Sequence, residues 1–248
     1  MRFPALAVLA LALCSITAAQ TAAPWDYVGK RGELNWGKLD PAYQSCSKGR
    51  EQAPIDIRGA HLNKALRPIE FHYIAGPVTL VNDGHTIVAR VDPGSYILVN
   101  GVRYDLVSFS FHHPGEQAVH GKLSEMDAQL LHRSADGKEA VLIVRLVEEI
   151  GSANAVLATL WPHLPATAGA TEKITEMVNM GGLLPADRGY WTYMGSLSAP
   201  PCTEGVRWFV FEQELSMSRE QLRAFAALFR INSRGSQDAH GRRIEANQ

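Results

Sequence analysis

Leu106-Val107-Ser108-Phe109-Ser110-Phe111-His112 is the stretch from which the fold is read. Phe109 and Phe111 share one parity; Ser108, Ser110 and His112 share the other. Successive side chains of a strand point to opposite faces, so this run reads as a strand with one apolar and one polar face. Pro114-Gly115 then punctuates a hairpin or loop. Working outward, Ala128–His132, Ala140–Val147 and Val206–Phe211 follow as strands, and Ile69–Ile74, Val78–Asn82, Thr86–Val91 and Tyr96–Asn100 precede. Most are β-branched or aromatic, with turn residues between them. Asn100-Gly101 and Asp136-Gly137 are hairpin signals.

Helical periodicity is read at Ala153–Trp161, Glu172–Met177 and Arg219–Phe229, the last opened by Ser218 and Gln221 as a capping box. A loop-rich arm, Ala23 to about Arg50, carries Trp25, Tyr27 and Trp36. No internal repeat or low-complexity linker interrupts the chain. The pattern predicts one mostly β (α+β) domain over residues 20–248: a large twisted, mainly antiparallel sheet with a few short peripheral helices.

The 248 residues are 46% hydrophobic and 20% charged, which excludes a disordered chain, collagen and a coiled coil. With a net charge of -1 and no Lys/Arg run, nothing builds a nucleic-acid surface. Residues 1–19, MRFPALAVLALALCSITAA, read as a signal peptide: Arg2, then an apolar stretch Pro4–Leu13, then small residues Thr17, Ala18 and Ala19. That stretch is too short to span a bilayer. Leu11-Ala12-Leu13-Cys14 faintly suggests a lipoprotein signal, but Leu13 is bulky for the residue before such a cysteine. Removal of the signal leaves Cys46 and Cys202. In an exported, oxidising setting they are expected to be joined, the alternative being two unrelated buried thiols. Location is then periplasmic or extracellular, with no transmembrane segment.

Further motifs accumulate in order. They are Trp25-Asp26-Tyr27, Asn35-Trp36-Gly37, Gln52-Ala53-Pro54-Ile55-Asp56-Ile57, Asn82-Asp83-Gly84-His85, Phe109–His112, Tyr190–Tyr193, Gly195-Ser196-Leu197, Pro200-Pro201 and a closing stretch with Asn232, Arg234 and Arg242-Arg243-Ile244. Together they resemble the α-class carbonic anhydrases across nearly the whole mature chain. The resemblance implies a central sheet of about ten strands and, as in exported bacterial members, a Cys46–Cys202 disulfide. It implies carbon dioxide hydration by a zinc ion on three imidazoles, which lowers the pKa of its bound water to about 7.

At the ligand positions this chain departs from the family. The family's Gln-Phe-His-Phe-His is here Ser108-Phe109-Ser110-Phe111-His112, and its Glu-x-His-Leu-x-His is Asp127-Ala128-Gln129-Leu130-Leu131-His132. Ser110 and Gln129 replace two zinc ligands, and Ser108 and Asp127 replace the groups behind them. Only His112 is kept. Hydroxyl and amide oxygens are poor zinc donors beside imidazole. Other positions match: His85 the proton shuttle, Glu116 and Ser198 the glutamate–hydroxyl pair, and Leu131, Val141, Leu197, Val206 and Trp208 the apolar wall.

The resemblance therefore implies an acatalytic member, a pseudoenzyme with no cofactor expected, whose cup serves a small molecule or anion, or whose surface serves a protein partner. The alternative is an active zinc carbonic anhydrase with an atypical cage; another metal on His112, Asp127 and Gln129, or metal-free ester chemistry, covers the rest. Without zinc, His85 is expected to be an exposed loop histidine and His112 a hydrogen-bonded core histidine. Ser110 and Gln129 become polar fillers satisfying one another or water, and Glu116 and Ser198 brace the loop before Pro200-Pro201.

Overall fold

The computed structural model describes residues 23–248; the predicted signal peptide and Cys14 lie outside the described residues. Thirteen strands form one sheet. They are β1 (His61–Leu62), β2 (Glu70–His72), β3 (Gly76–Asn82), β4 (Ile87–Val91), β5 (Tyr96–Val99), β6 (Val102–His112) and β7 (Met126–Ser134), followed by β8 (Glu139–Glu148), β9 (Thr171–Val178), β10 (Tyr190–Ser196), β11 (Glu204–Phe211), β12 (Leu215–Met217) and β13 (Glu245–Ala246). Ten run in the order β1-β13-β10-β11-β8-β7-β6-β4-β3-β9, with β12 beside β8 and β2–β5 joined to β6. Most pairs are antiparallel, but β11 and β12 run parallel to β8, so the sheet is mixed. Four short helices lie outside it: α1 (Trp36–Leu39), α2 (Ser45–Lys48), α3 (Ala155–Leu160) and α4 (Arg219–Leu228). Among the described residues no helix is long and apolar enough to cross a membrane.

Alternation divides the central strands as the sequence suggested. Phe109 and Phe111 of β6, Ala128 and Leu130 of β7, and Leu142 and Val144 of β8 join one apolar core beneath α3 and α4. Each such side chain removed from water contributes roughly 1.5–3 kcal/mol for Leu or Phe. The opposite parity faces the other way, where Val141, Ile143, Val206 and Trp208 form a second cluster. Asn100 and Gly101 carry φ of 50° and 78°, the positive pair that a tight hairpin between β5 and β6 requires. The capping box of α4 is formed: Gln221 N–H donates to Ser218 Oγ, and Ser218 N–H to Gln221 Oε1. The same Gln221 also binds the backbone of Asn154, which caps α3, so the two helices are locked together.

Glu172–Met177, predicted helical, is instead part of edge strand β9. Ile174 and Val178 are its buried positions. A spacing of four suits a helix face and equally a strand, where i and i+4 also share a side. Pairing with β3 decides in favour of the strand.

Cys46 and Cys202 are joined, 156 residues apart in sequence, tying the arm to the turn before β11. Gly195 has no room for a side chain: a Cβ there would lie 2.9 Å from both Ala53 Cβ and Trp208 Cδ1.

Candidate functional site: a cup with a hydrogen-bonded floor

The second face of the central strands holds a cavity of about 210 Å³. β6 contributes Ser108, Ser110 and His112; β7 contributes Gln129 and Leu131. Val141 of β8, Trp208 of β11 and Leu197 form its apolar side, with Ser198, Ala199 and Pro200 at the edge. Val206 is buried behind that wall and does not line the cavity. Trp25 and Tyr27 from the arm, together with His85, close the rim.

Register brings together the three residues that the resemblance sets at the zinc-ligand positions, Ser110, His112 and Gln129. Ser110 pairs with Gln129 and His112 with Asp127 across β6–β7. His113 projects away and binds the Arg230 carbonyl through Nδ1. Of the two arrangements expected for Ser110 and Gln129, satisfying one another or water, the first is not found. Ser110 Oγ lies 3.3 Å from His112 Nε2, and the Gln129 amide donates to Glu116 Oε2 at 2.7 Å. Both side chains turn to the charged neighbours that can hold them more strongly than a neutral partner.

Glu116, fully buried, gathers the floor. Its Oε1 accepts from Arg234 N–H at 2.8 Å and lies 3.3 Å from His112 Nδ1. The nearby Ser198 hydroxyl also favours its charged form. His112 Nδ1 donates chiefly to the Asn232 carbonyl at 2.7 Å, which leaves Nε2 facing the cup. Burial alone would lower the pKa of His112; the adjacent Glu116 carboxylate outweighs it and holds the value at about 9. Burial opposes ionisation of Glu116 too, yet His112 and the converging donors keep its pKa low. Asp127 behaves differently. Burial raises it to about 7 against the pull of His112. Its Oδ2 accepts from the Glu116 and Gln117 backbone N–H groups, while Oδ1 is buried without a hydrogen-bond partner among the described residues.

His85 is only half-exposed. Its ring stacks on Trp25 at 3.7 Å, and Nε2 donates to the Trp25 carbonyl at 3.0 Å. The arm thus holds the imidazole at the rim. Sequence reasoning quoted Asn232, Arg234, Trp25 and Tyr27 without placing them in the site. Asn232 is central to it: its amide donates to the His85 and Phe111 carbonyls, and its Oδ1 accepts from His113 N–H. Only the unusual density of polar residues in the closing stretch could have marked it.

A sheet of thirteen strands, ten of them in one continuous order, with such a cup on one face fits the architecture that the resemblance to the α-class carbonic anhydrases implies. The chain matches the sequence profile of the eukaryotic-type carbonic anhydrase family over residues 31–248, and it belongs to that family. It is 39% identical over 239 residues to a carbonic anhydrase of Klebsiella pneumoniae, covering 95% of each chain. Among solved structures, the α-carbonic anhydrase of Thermovibrio ammonificans bound to the inhibitor sulfanilamide superposes with a TM-score of 0.87 and 36% identity, covering 91% of this chain and 100% of that one. Dioscorin complexed with ascorbate superposes at 0.83 with 29% identity, covering 90% and 97%.

Proposed function

We propose that this family member holds no catalytic zinc, does not hydrate carbon dioxide, and uses its cup to bind a small polar organic molecule. The observation that carries the reading is the Gln129 amide given to Glu116 at 2.7 Å. A zinc ligand in that position would have to present a lone pair to the cup. Gln129 instead spends its stronger contact inward, and Ser110 offers only a hydroxyl. His112 is the single imidazole on the floor, where structural and catalytic zinc sites use three or four nitrogen, sulfur or carboxylate donors. Among the described residues no three of His, Cys, Asp and Glu are grouped to hold a metal. The donor set therefore does not fit zinc.

What the floor does offer is hydrogen bonding beside an apolar wall, the usual composition of a small-molecule pocket. The structural neighbour described with ascorbate supports a small polar organic molecule as the ligand class. The Cys46–Cys202 disulfide and the reading of residues 1–19 together support export, to a periplasmic or extracellular location.

The test is elemental analysis and stopped-flow carbon dioxide hydration on protein purified without added metal. The expected result is far less than one zinc per chain and no rate above the uncatalysed reaction. About one zinc per chain with catalysed hydration establishes the atypical zinc enzyme instead.

A further inference from the structure

We propose that Ser110, His112 and Glu116 form a metal-independent serine acyl-transfer site that hydrolyses small esters at the floor of the cup. The proposal rests on the zinc-free reading above. It follows from what the loss of a ligand at residue 110 creates. Residues 110 and 112 share a strand face, so a hydroxyl there meets the imidazole two residues on. Ser110 Oγ lies 3.3 Å from His112 Nε2. The other ring nitrogen, Nδ1, is 2.7 Å from the Asn232 carbonyl and 3.3 Å from Glu116 Oε1. A nucleophile on one imidazole nitrogen and an orienting acceptor on the other is the arrangement that activates serine, and such contacts are often loose before substrate binds.

The orienting group is fixed. Arg234 N–H and the Gln129 amide clamp the two Glu116 oxygens at 2.8 and 2.7 Å, so the carboxylate cannot turn from His112. Glu116 is therefore a positioning residue; Ser110 and His112 are the catalytic pair. Substrate access is provided by the cavity of about 210 Å³ onto which both open. Leu131, Val141, Leu197 and Trp208 line it beside them, a seat for a short acyl chain. Gln129, paired opposite Ser110 and lining the cavity, gives one amide hydrogen to Glu116, and its second is assigned to the carbonyl oxygen that gains charge.

The steps balance without an oxidant or a metal. Ser110 Oγ bonds to the ester carbonyl carbon while its proton passes to His112 Nε2. The tetrahedral adduct collapses, the bond to the alcohol oxygen breaks, and the alcohol leaves with that proton. Water, deprotonated by the same imidazole, then attacks the acyl-serine; the carboxylic acid departs and Ser110 regains its proton.

The probes are 4-nitrophenyl acetate and a fluorophosphonate, used on metal-stripped protein, with the imidazole of His112 taking the proton from Ser110. Hydrolysis should persist under a zinc chelator, and the phosphonyl group should map to Ser110 by peptide mass spectrometry. Ser110→Ala should lose about 10²–10³-fold in kcat. Glu116→Gln should lower kcat about tenfold and leave KM in place. Label mapping uses the unaltered protein, so a variant that fails to fold does not block the test. Zinc-free protein with no label on Ser110, or with a rate unchanged in Ser110→Ala, overturns this proposal alone. Hydrolysis that vanishes with the chelator, in protein carrying zinc, overturns the zinc-free reading as well.

Discussion

His112 and His132 are both buried on adjacent strands, and the sheet turns one to each of its faces. His132 faces the apolar core. Its Nδ1 donates to the Leu130 carbonyl at 2.9 Å, and its Nε2 accepts from the Tyr73 hydroxyl at 2.7 Å. Burial depresses its pKa to about 4, because no carboxylate lies close enough to compensate. His112 faces the cup, where Glu116 reverses the outcome. One imidazole is a neutral packing element; the other is an ionic one. The difference teaches that the two faces of one sheet answer to separate demands. The core face carries the packing, and the cup face is free to exchange its chemistry.

If that division holds, the largest effect follows from changing only the cup face. Ser110→His with Gln129→His should convert a floor with one imidazole into one with three, on paired strands. Zinc should rise to about one per chain, since such sites bind with roughly 10 kcal/mol or more. Each single variant should bind little. Carbon dioxide hydration in the double variant should appear but stay below that of family enzymes, because Ser108 and Asp127 leave the ligand supports imperfect. A folded double variant without zinc would show that the cup has diverged beyond its ligands.

Adjacent leucines test the same division in stability. Leu130 is fully buried in the core; Leu131 lines the cup and is half-buried. Leu130→Ala should cost about 3–4 kcal/mol in urea denaturation and Leu131→Ala less than half of that. Equal costs would break the comparison.

The pH dependence comes next. His132 ordinarily titrates near 6.5 but is held to about 4 in the fold. The unfolded chain then binds more protons, so the contribution is complete above pH 6.5 and is lost as pH falls toward 4. The loss is about 3 kcal/mol. Unfolding midpoints of the protein and of His132→Gln, compared at about pH 7 and pH 4.5, should converge on acidification. Parallel curves would sink the assignment. The smallest effect is Tyr73→Phe, which leaves Nε2 of His132 without its donor and should cost about 1–2 kcal/mol.

The sequence carried the site only where local periodicity reaches. Phe109/Phe111 against Ser110/His112 fixed the face of β6 by alternation, and Asn100-Gly101 and Ser218/Gln221 marked their turn and cap through chemistry within a few residues. β9 was misread because its two buried positions, four apart, fit either period. The floor's wiring was beyond reach for another reason. Glu116 is joined to Gln129 and to Arg234, the second 118 positions away, and no local rule pairs them. Residue identity set Ser110 and Gln129 apart from the histidines the resemblance leads one to expect; only folding revealed what these two side chains hold.

Gly195 has a consequence for saturation mutagenesis. Its missing Cβ is the space that Ala53 and Trp208 occupy, so every substitution there pushes the cup wall apart. In a selection scored by cellular abundance, position 195 should be as intolerant as the core phenylalanines. Ser110 should look nearly silent in that assay and emerge only in one scored by ligand capture or turnover, whereas Gln129, which holds the buried Glu116, should score in both. The ratio of the two scores, position by position, would separate residues that shape the cup from residues that use it.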